Sequence, residues 1–104
     1  MKKKSFPKSM MILGRVYKIK IVTKTKLMSI TTGNAVACVD FSDQTVYIWD
    51  ELSDEQKMLS LFHELSHIAH VVVGLDQVIN AKIQEILCET MANAFGDLLK
   101  SFHK

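Results

Sequence analysis

The apolar residues of this chain change their period once, near Ser53, and that change limits the fold more than any other feature. Before it they recur every second residue. Over residues 15–23, Tyr17, Ile19 and Ile21 share one face, and Lys18 and Lys20 share the other. Such alternation predicts a half-buried strand. Thr32-Gly33-Asn34 is a turn signal. Residues 35–41 and 45–49 are β-branched and aromatic runs separated by Ser42-Asp43-Gln44, which predicts an antiparallel hairpin.

After Ser53 the spacing is helical. Ser53 stands three residues before Gln56, with Asp54 and Glu55 between them. This is the pattern of a capping box with acids in the first turn. Met58, Leu61, Phe62, Leu65, Ile68, Ala69 and Val72 then recur at helical spacing, and Gly74 is a helix stop. A second helix is predicted from near Asn80 to about Phe102, with Ile83, Leu87, Met91, Ala94, Leu98 and Phe102 as its apolar face. The expected fold class is α+β: a small, mostly antiparallel sheet of about three strands, followed by two helices on one face of it. The short link between the helices predicts that they pack antiparallel.

A chain of 104 residues has room for one core. Residues 1–10 are basic and lack periodicity, so a mobile tail is expected there, with residues 11–104 as a single domain. Hydrophobic residues make up 48% and charged residues 23%, an ordinary globular composition. The net charge of +2 hides a split. Residues 1–39 carry nine Lys and Arg and no acid, while the remainder carries four lysines and all eleven acids. A uniformly basic surface for nucleic acid is therefore not expected, and Lys2, Lys3 and Lys4 read as a solvated cluster. No apolar run approaches the roughly 20 residues of a membrane span. The four apolar residues 10–13 are fewer than the roughly 7–15 of a secretory signal. Cys38 and Cys88 have neither C-x-x-C spacing nor a framework pattern. The expected location is the cytoplasm.

Residues 63–67 read His-Glu-Leu-Ser-His. On a helix, His63 and His67 lie one above the other, about 6 Å apart at Cβ. Two imidazoles so placed can reach one zinc ion. Glu64 points about 100° round the helix, where it can act as general base toward a water that the metal activates. A third ligand is needed for a catalytic site. Glu89 lies on the helix that should fold back, and Ala92 and Gly96 beyond it are small enough for close approach. Glu85 competes for the role, and spacing alone does not separate the two. Asn93 is suited to a hydrogen bond that supports a ligating histidine. His70 shares the face of His63 and His67 and could serve as ligand, oxyanion donor or supporting residue. Tyr17 and Tyr47 could supply a transition-state hydrogen bond, although strand tyrosines more often pack. The 45–49 strand with Trp49 could be a sheet edge that aligns an extended peptide. His103 is assigned no role.

Residues 62–67 together with residues 89–99 (Glu-Thr-Met-Ala-Asn-Ala-Phe-Gly-Asp-Leu-Leu) resemble the gluzincin zinc metallopeptidases. The closest likeness is to the short members related to the ImmA/IrrE type and to phage-encoded minimal zincins. That resemblance implies a small sheet beside an active-site helix and a glutamate helix. It implies His63, His67 and Glu89 as zinc ligands, Glu64 as catalytic acid and base, and Asn93 as a supporting residue. The expected function is zinc-dependent hydrolysis of a polypeptide substrate. The alternative is a zinc-stabilised binding or regulatory module that contacts a partner protein, in which a fourth protein ligand would close the site. A third possibility is a nucleic-acid-binding domain that uses the basic first third of the chain.

Overall fold

The computed structural model describes residues 6–31 and 33–102. The chain begins with a hairpin of β1 (Ser9–Ile12) and β2 (Arg15–Val22), paired antiparallel from Ser9↔Lys18 to Ile12↔Arg15. Its two-residue turn puts Leu13 at φ +49° and Gly14 at φ +82°. Two successive positive φ angles twist a turn to match its flanking strands. The expectation of a tail through residue 10 is corrected here. Ser9 and Met10 belong to β1, because Met10 and Ile12 pack against the core and the turn holds them on β2. Residues 1–5, with the Lys2–Lys4 cluster, lie outside the described residues, as do Thr32, His103 and Lys104.

After β2 a short helix, α1 (Lys24–Ile30), is capped by Thr23, whose side chain accepts from the Lys26 amide. β3 (Ala37–Asp40) and β4 (Thr45–Trp49) then form the predicted antiparallel hairpin. The Asp40 carboxylate closes its turn by accepting from the Ser42 and Asp43 amides. β4 pairs parallel to β2, from Lys18↔Thr45 to Val22↔Trp49. The sheet therefore has four strands in the order β1-β2-β4-β3, rather than about three; it is mixed, with two of its three pairings antiparallel as expected and the β2–β4 pairing parallel. β4 lies inside the sheet, which removes Trp49 and its strand as the peptide-aligning edge. The edge on that side is β3.

Tyr17, Ile19, Val46 and Ile48 form the sheet's contribution to the core. They meet Leu61 and Ile68 of α2 (Asp54–Val72), with Leu65 and Val72 packed beside them. Burying an aliphatic side chain of this kind stabilises by about 1.5–3 kcal/mol. Tyr47 alternates with Val46 and Ile48, so it faces the opposite side of the sheet. There α1 packs against β4, and Lys24 Nζ lies 4.8 Å over the Trp49 ring. The helices thus do not all share one face. Ser53 and Gln56 form the expected capping box, each side chain serving the other's amide at 3.1 Å. α2 ends at Val72, and Gly74 follows at φ +80°. A single 3-10 turn over Leu75–Gln77 leads to α3 (Ala81–Phe102). Asn80 caps α3 by accepting from the Ile83 amide at 2.9 Å.

α3 packs on α2 rather than on the sheet. Contacts from His63 to Glu89, His67 to Glu85 and Glu55 to Lys100 run in opposite chain directions, so the two helices are antiparallel. The side of α3 turned to α2 is built from Cys88, Ala92 and Gly96, all buried. A Cβ on Gly96 would stand 2.7 Å from Leu59 Cδ2, so any side chain there must displace the end of that leucine. The stripe Ile83, Leu87, Met91, Leu98 and Phe102, expected to face the core, is exposed instead. Among the described residues no helix is long and apolar enough to cross a membrane.

Candidate metal centre

The sheet-facing residues of α2 fix where its polar residues go. With Leu61, Leu65, Ile68 and Val72 turned to the strands, His63 and His67 fall on the far side, toward α3. Their ring centroids are 5.0 Å apart, edge to face. α3 brings two carboxylates against them. Glu85 Oε1 lies 2.6 Å from His67 Nε2, and Glu85 Oε2 lies 3.3 Å from His63 Nε2. Glu89 Oε1 lies 2.8 Å from His63 Nδ1, on the other edge of the ring. One carboxylate thus spans the two Nε2 atoms, and the second holds the back of one imidazole.

His63, His67 and Glu85 each offer a ligand atom, and these atoms lie within 4.8 Å of one another. Two imidazole nitrogens and one carboxylate form the donor set that suits zinc. Glu89 stands where an orienting carboxylate would, since a ligating histidine commonly donates its second N–H to such a group. The spacing left Glu85 and Glu89 open, and the resemblance implied Glu89. The geometry puts Glu85 with the two histidines and moves Glu89 behind His63. The antiparallel register decides between them, since Glu85 lies level with His67 and Glu89 one turn further along, level with His63.

The charges follow from this crowding. Burial pulls the Glu85 carboxyl up, but His63 and His67 outweigh it and leave its pKa below the ordinary value. Burial likewise lowers the pKa of His67 against the opposing pull of Glu85. Glu64 is pushed up to about 7, chiefly by burial, with His63 opposing and Glu85 adding to the rise. It is more deeply set than the other two carboxylates, whose side chains are well exposed.

Glu64, the two histidines, Glu85 and Glu89 line a cleft of about 800 Å³ between α2, α3 and β3. Ala37, Cys38 and Val39 of the β3 edge line it too, together with residues Ala35, Val36 and Phe41 at the ends of that strand. Trp49 donates to the Val36 carbonyl, which fixes the alternation of the hairpin ladder. Ala37 and Val39 therefore direct their amides and carbonyls to the unpaired side. Burial raises the pKa of the Cys38 thiol, and the charge of Glu64 adds to the rise.

Four other expected residues stay out of the ligand cluster. The Asn93 side chain lines the cleft but donates to the Glu89 carbonyl at 2.8 Å rather than to a histidine. His70 is drawn away from the pair, with Nδ1 3.7 Å from the buried Cys88 Sγ. Tyr47 is on the opposite face of the sheet and is not among the described residues that line the cleft, and Tyr17 is buried in the core. The free edge of β3 was not read as part of the site. Its signal was the run of small and β-branched residues Ala35-Val36-Ala37 immediately before Cys38. Compared with known proteins, the chain matches no family model, no curated protein and no solved structure.

Proposed function

We propose that this protein is a zinc-dependent peptidase of the gluzincin kind, acting in the cytoplasm on extended polypeptide. The observation that carries the reading is the convergence of His63 Nε2, His67 Nε2 and the Glu85 carboxylate on an open cleft that Glu64 also lines. The residues fit zinc by donor type, and His63, His67 and Glu85 would hold it. Zinc, when bound, supplies a Lewis acid that polarises a carbonyl and makes water a stronger acid. Glu64 takes a proton from the attacking water and passes it to the nitrogen of the leaving amine. Glu89 keeps the His63 ring in one orientation. The outward amides and carbonyls of Ala37 and Val39 pair with the substrate backbone as an added strand. The peptide thereby lies alongside the Glu64 wall of the cleft. Cys38 and Cys88 are free thiols, in keeping with a reducing compartment.

The cleft also favours this reading over a zinc-stabilised binding module. A closed structural site needs a fourth protein ligand, and His70, the third histidine of α2, is turned to Cys88 instead. The test is metal analysis paired with a peptide-library assay. The wild type should carry about one zinc per chain and cleave. His63→Ala and His67→Ala should lose the metal. Glu64→Gln should keep it and lose hydrolysis. A Glu64→Gln chain that cleaves as the wild type does sinks the mechanism, and a zinc-loaded wild type that cleaves nothing favours the binding module.

A further inference from the structure

Seven large apolar side chains of α3 stand between 39% and 74% exposed, among them Ile83, Leu87, Met91, Leu98 and Phe102. Ile86 and Phe95 flank that row. Together they expose on the order of 700 Å² of apolar surface, more than the roughly 300–600 Å² patch of a typical monomer. The amount matches the roughly 800 Å² that each partner buries in an interface of standard size. α3 spends its small residues on α2 and turns its large ones outward, the reverse of a helix that is finished within one chain.

The spacing of the row identifies what covers it. Ile83, Leu87, Met91, Ala94, Leu98 and Phe102 are separated by 4, 4, 3, 4 and 4 residues. That series reads the same in both directions. An antiparallel pairing of α3 with a second α3 about a two-fold axis needs this property, because each residue must meet the same partner from either side. Centred between Met91 and Ala94, the pairing sets Ile83 against Phe102 of the second copy and Leu87 against Leu98. It also sets Met91 against Ala94, a long side chain over a short one. Spacings of 3 and 4 are those of helices that pack side by side in bundles. We infer that the protein is a homodimer through the outward face of α3, with the two α3 helices antiparallel. Glu85 and Glu89 lie on the side of α3 that faces α2. Both clefts therefore stay open in the dimer, and the inference does not depend on the peptidase reading.

Sedimentation velocity on the full chain from about 1 to 100 µM is the test, a range that spans ordinary dimer affinities. The wild type should sediment at twice 11.8 kDa at the upper end. The double variant Leu87→Glu/Leu98→Glu should run at 11.8 kDa throughout with unchanged helical circular dichroism. Ala94→Arg, which blocks the two-fold centre alone, should do the same and serves if the double variant does not fold. Register is read by oxidation: a mixture of Leu87→Cys and Leu98→Cys chains should cross-link to a mixed dimer faster than either variant alone. A wild type that is monomeric at 100 µM overturns the inference, whether or not it binds anionic lipid vesicles. So does a dimer that survives Leu87→Glu/Leu98→Glu, or preferential cross-linking of Leu87→Cys to itself.

Discussion

At the level of single residues, the two glutamates of α3 divide the work around His63 and His67. Glu85 sits against both Nε2 atoms, at distances that require protons or a metal cation between the groups. Glu89 meets His63 at Nδ1, so a proton shared on that edge would leave Nε2 as the nitrogen available to a metal. Replacing an orienting carboxylate of this kind typically weakens metal binding by about 10–100-fold. Glu89→Gln should fall in that range when zinc is titrated against a competing chelator. Glu85→Gln removes the charge of a candidate ligand and should weaken zinc by a larger factor. The reverse order would return Glu89 to the ligand set and make Glu85 the accessory group. In each case the affinity, rather than turnover, is the readout, so the comparison holds for a catalytic or a structural site.

Among the elements, the α2–α3 pair has the narrowest tolerance. Gly96 meets Leu59 so closely that any Cβ must displace that side chain. For alanine the displaced atom is the end of a flexible leucine, and the helix gains about 0.8–1.0 kcal/mol of propensity over glycine. Gly96→Ala should therefore stay within about 1 kcal/mol of the wild type in urea unfolding, the two effects opposing each other. Gly96→Val adds two branches at the same point and should destabilise by about 1–3 kcal/mol through overpacking. At the other end of α2, Ser53→Ala removes one half of a formed capping box and should cost about 1 kcal/mol. α2 was legible in the sequence because its signals are local: the cap, the stop at Gly74 and an apolar row that does face the sheet. The two histidines and Glu64 were legible with it. α1 was not, because seven residues with one buried side chain, Leu27, are too short to display a period. β1 was hidden for a similar reason, its four residues being half-buried on alternate positions beside a lysine-rich start. The parallel pairing of β4 with β2 is set by contacts between residues 27 positions apart, which local pattern does not carry. The face of α3 was misread because hydrophobicity weights large side chains, whereas Cys88, Ala92 and Gly96 make the contact.

Across the whole molecule, the cleft ties the two halves of the chain together. β3 contributes one wall from the sheet, and α2 and α3 contribute the others. The acid-rich part carries the candidate ligands together with β4, and the basic part supplies β1, β2 and most of β3. A metal held by His63 and His67 on α2 and Glu85 on α3 would clamp the two helices beside the small buried residues Cys88, Ala92 and Gly96. Binding to the folded state alone raises stability by about 2.7 kcal/mol when free metal is a hundredfold above its dissociation constant. In a domain of about 100 residues each kcal/mol moves the melting temperature by about 4–8 °C. Zinc at that excess should therefore raise Tm by roughly 10–20 °C, and a chelator should reverse the rise. Differential scanning calorimetry checks this directly. His67→Ala should show no zinc-dependent rise, and Glu64→Gln should show the full one, because Glu64 lines the cleft without joining the ligand cluster. A rise of equal size in His67→Ala would place the metal elsewhere on the chain.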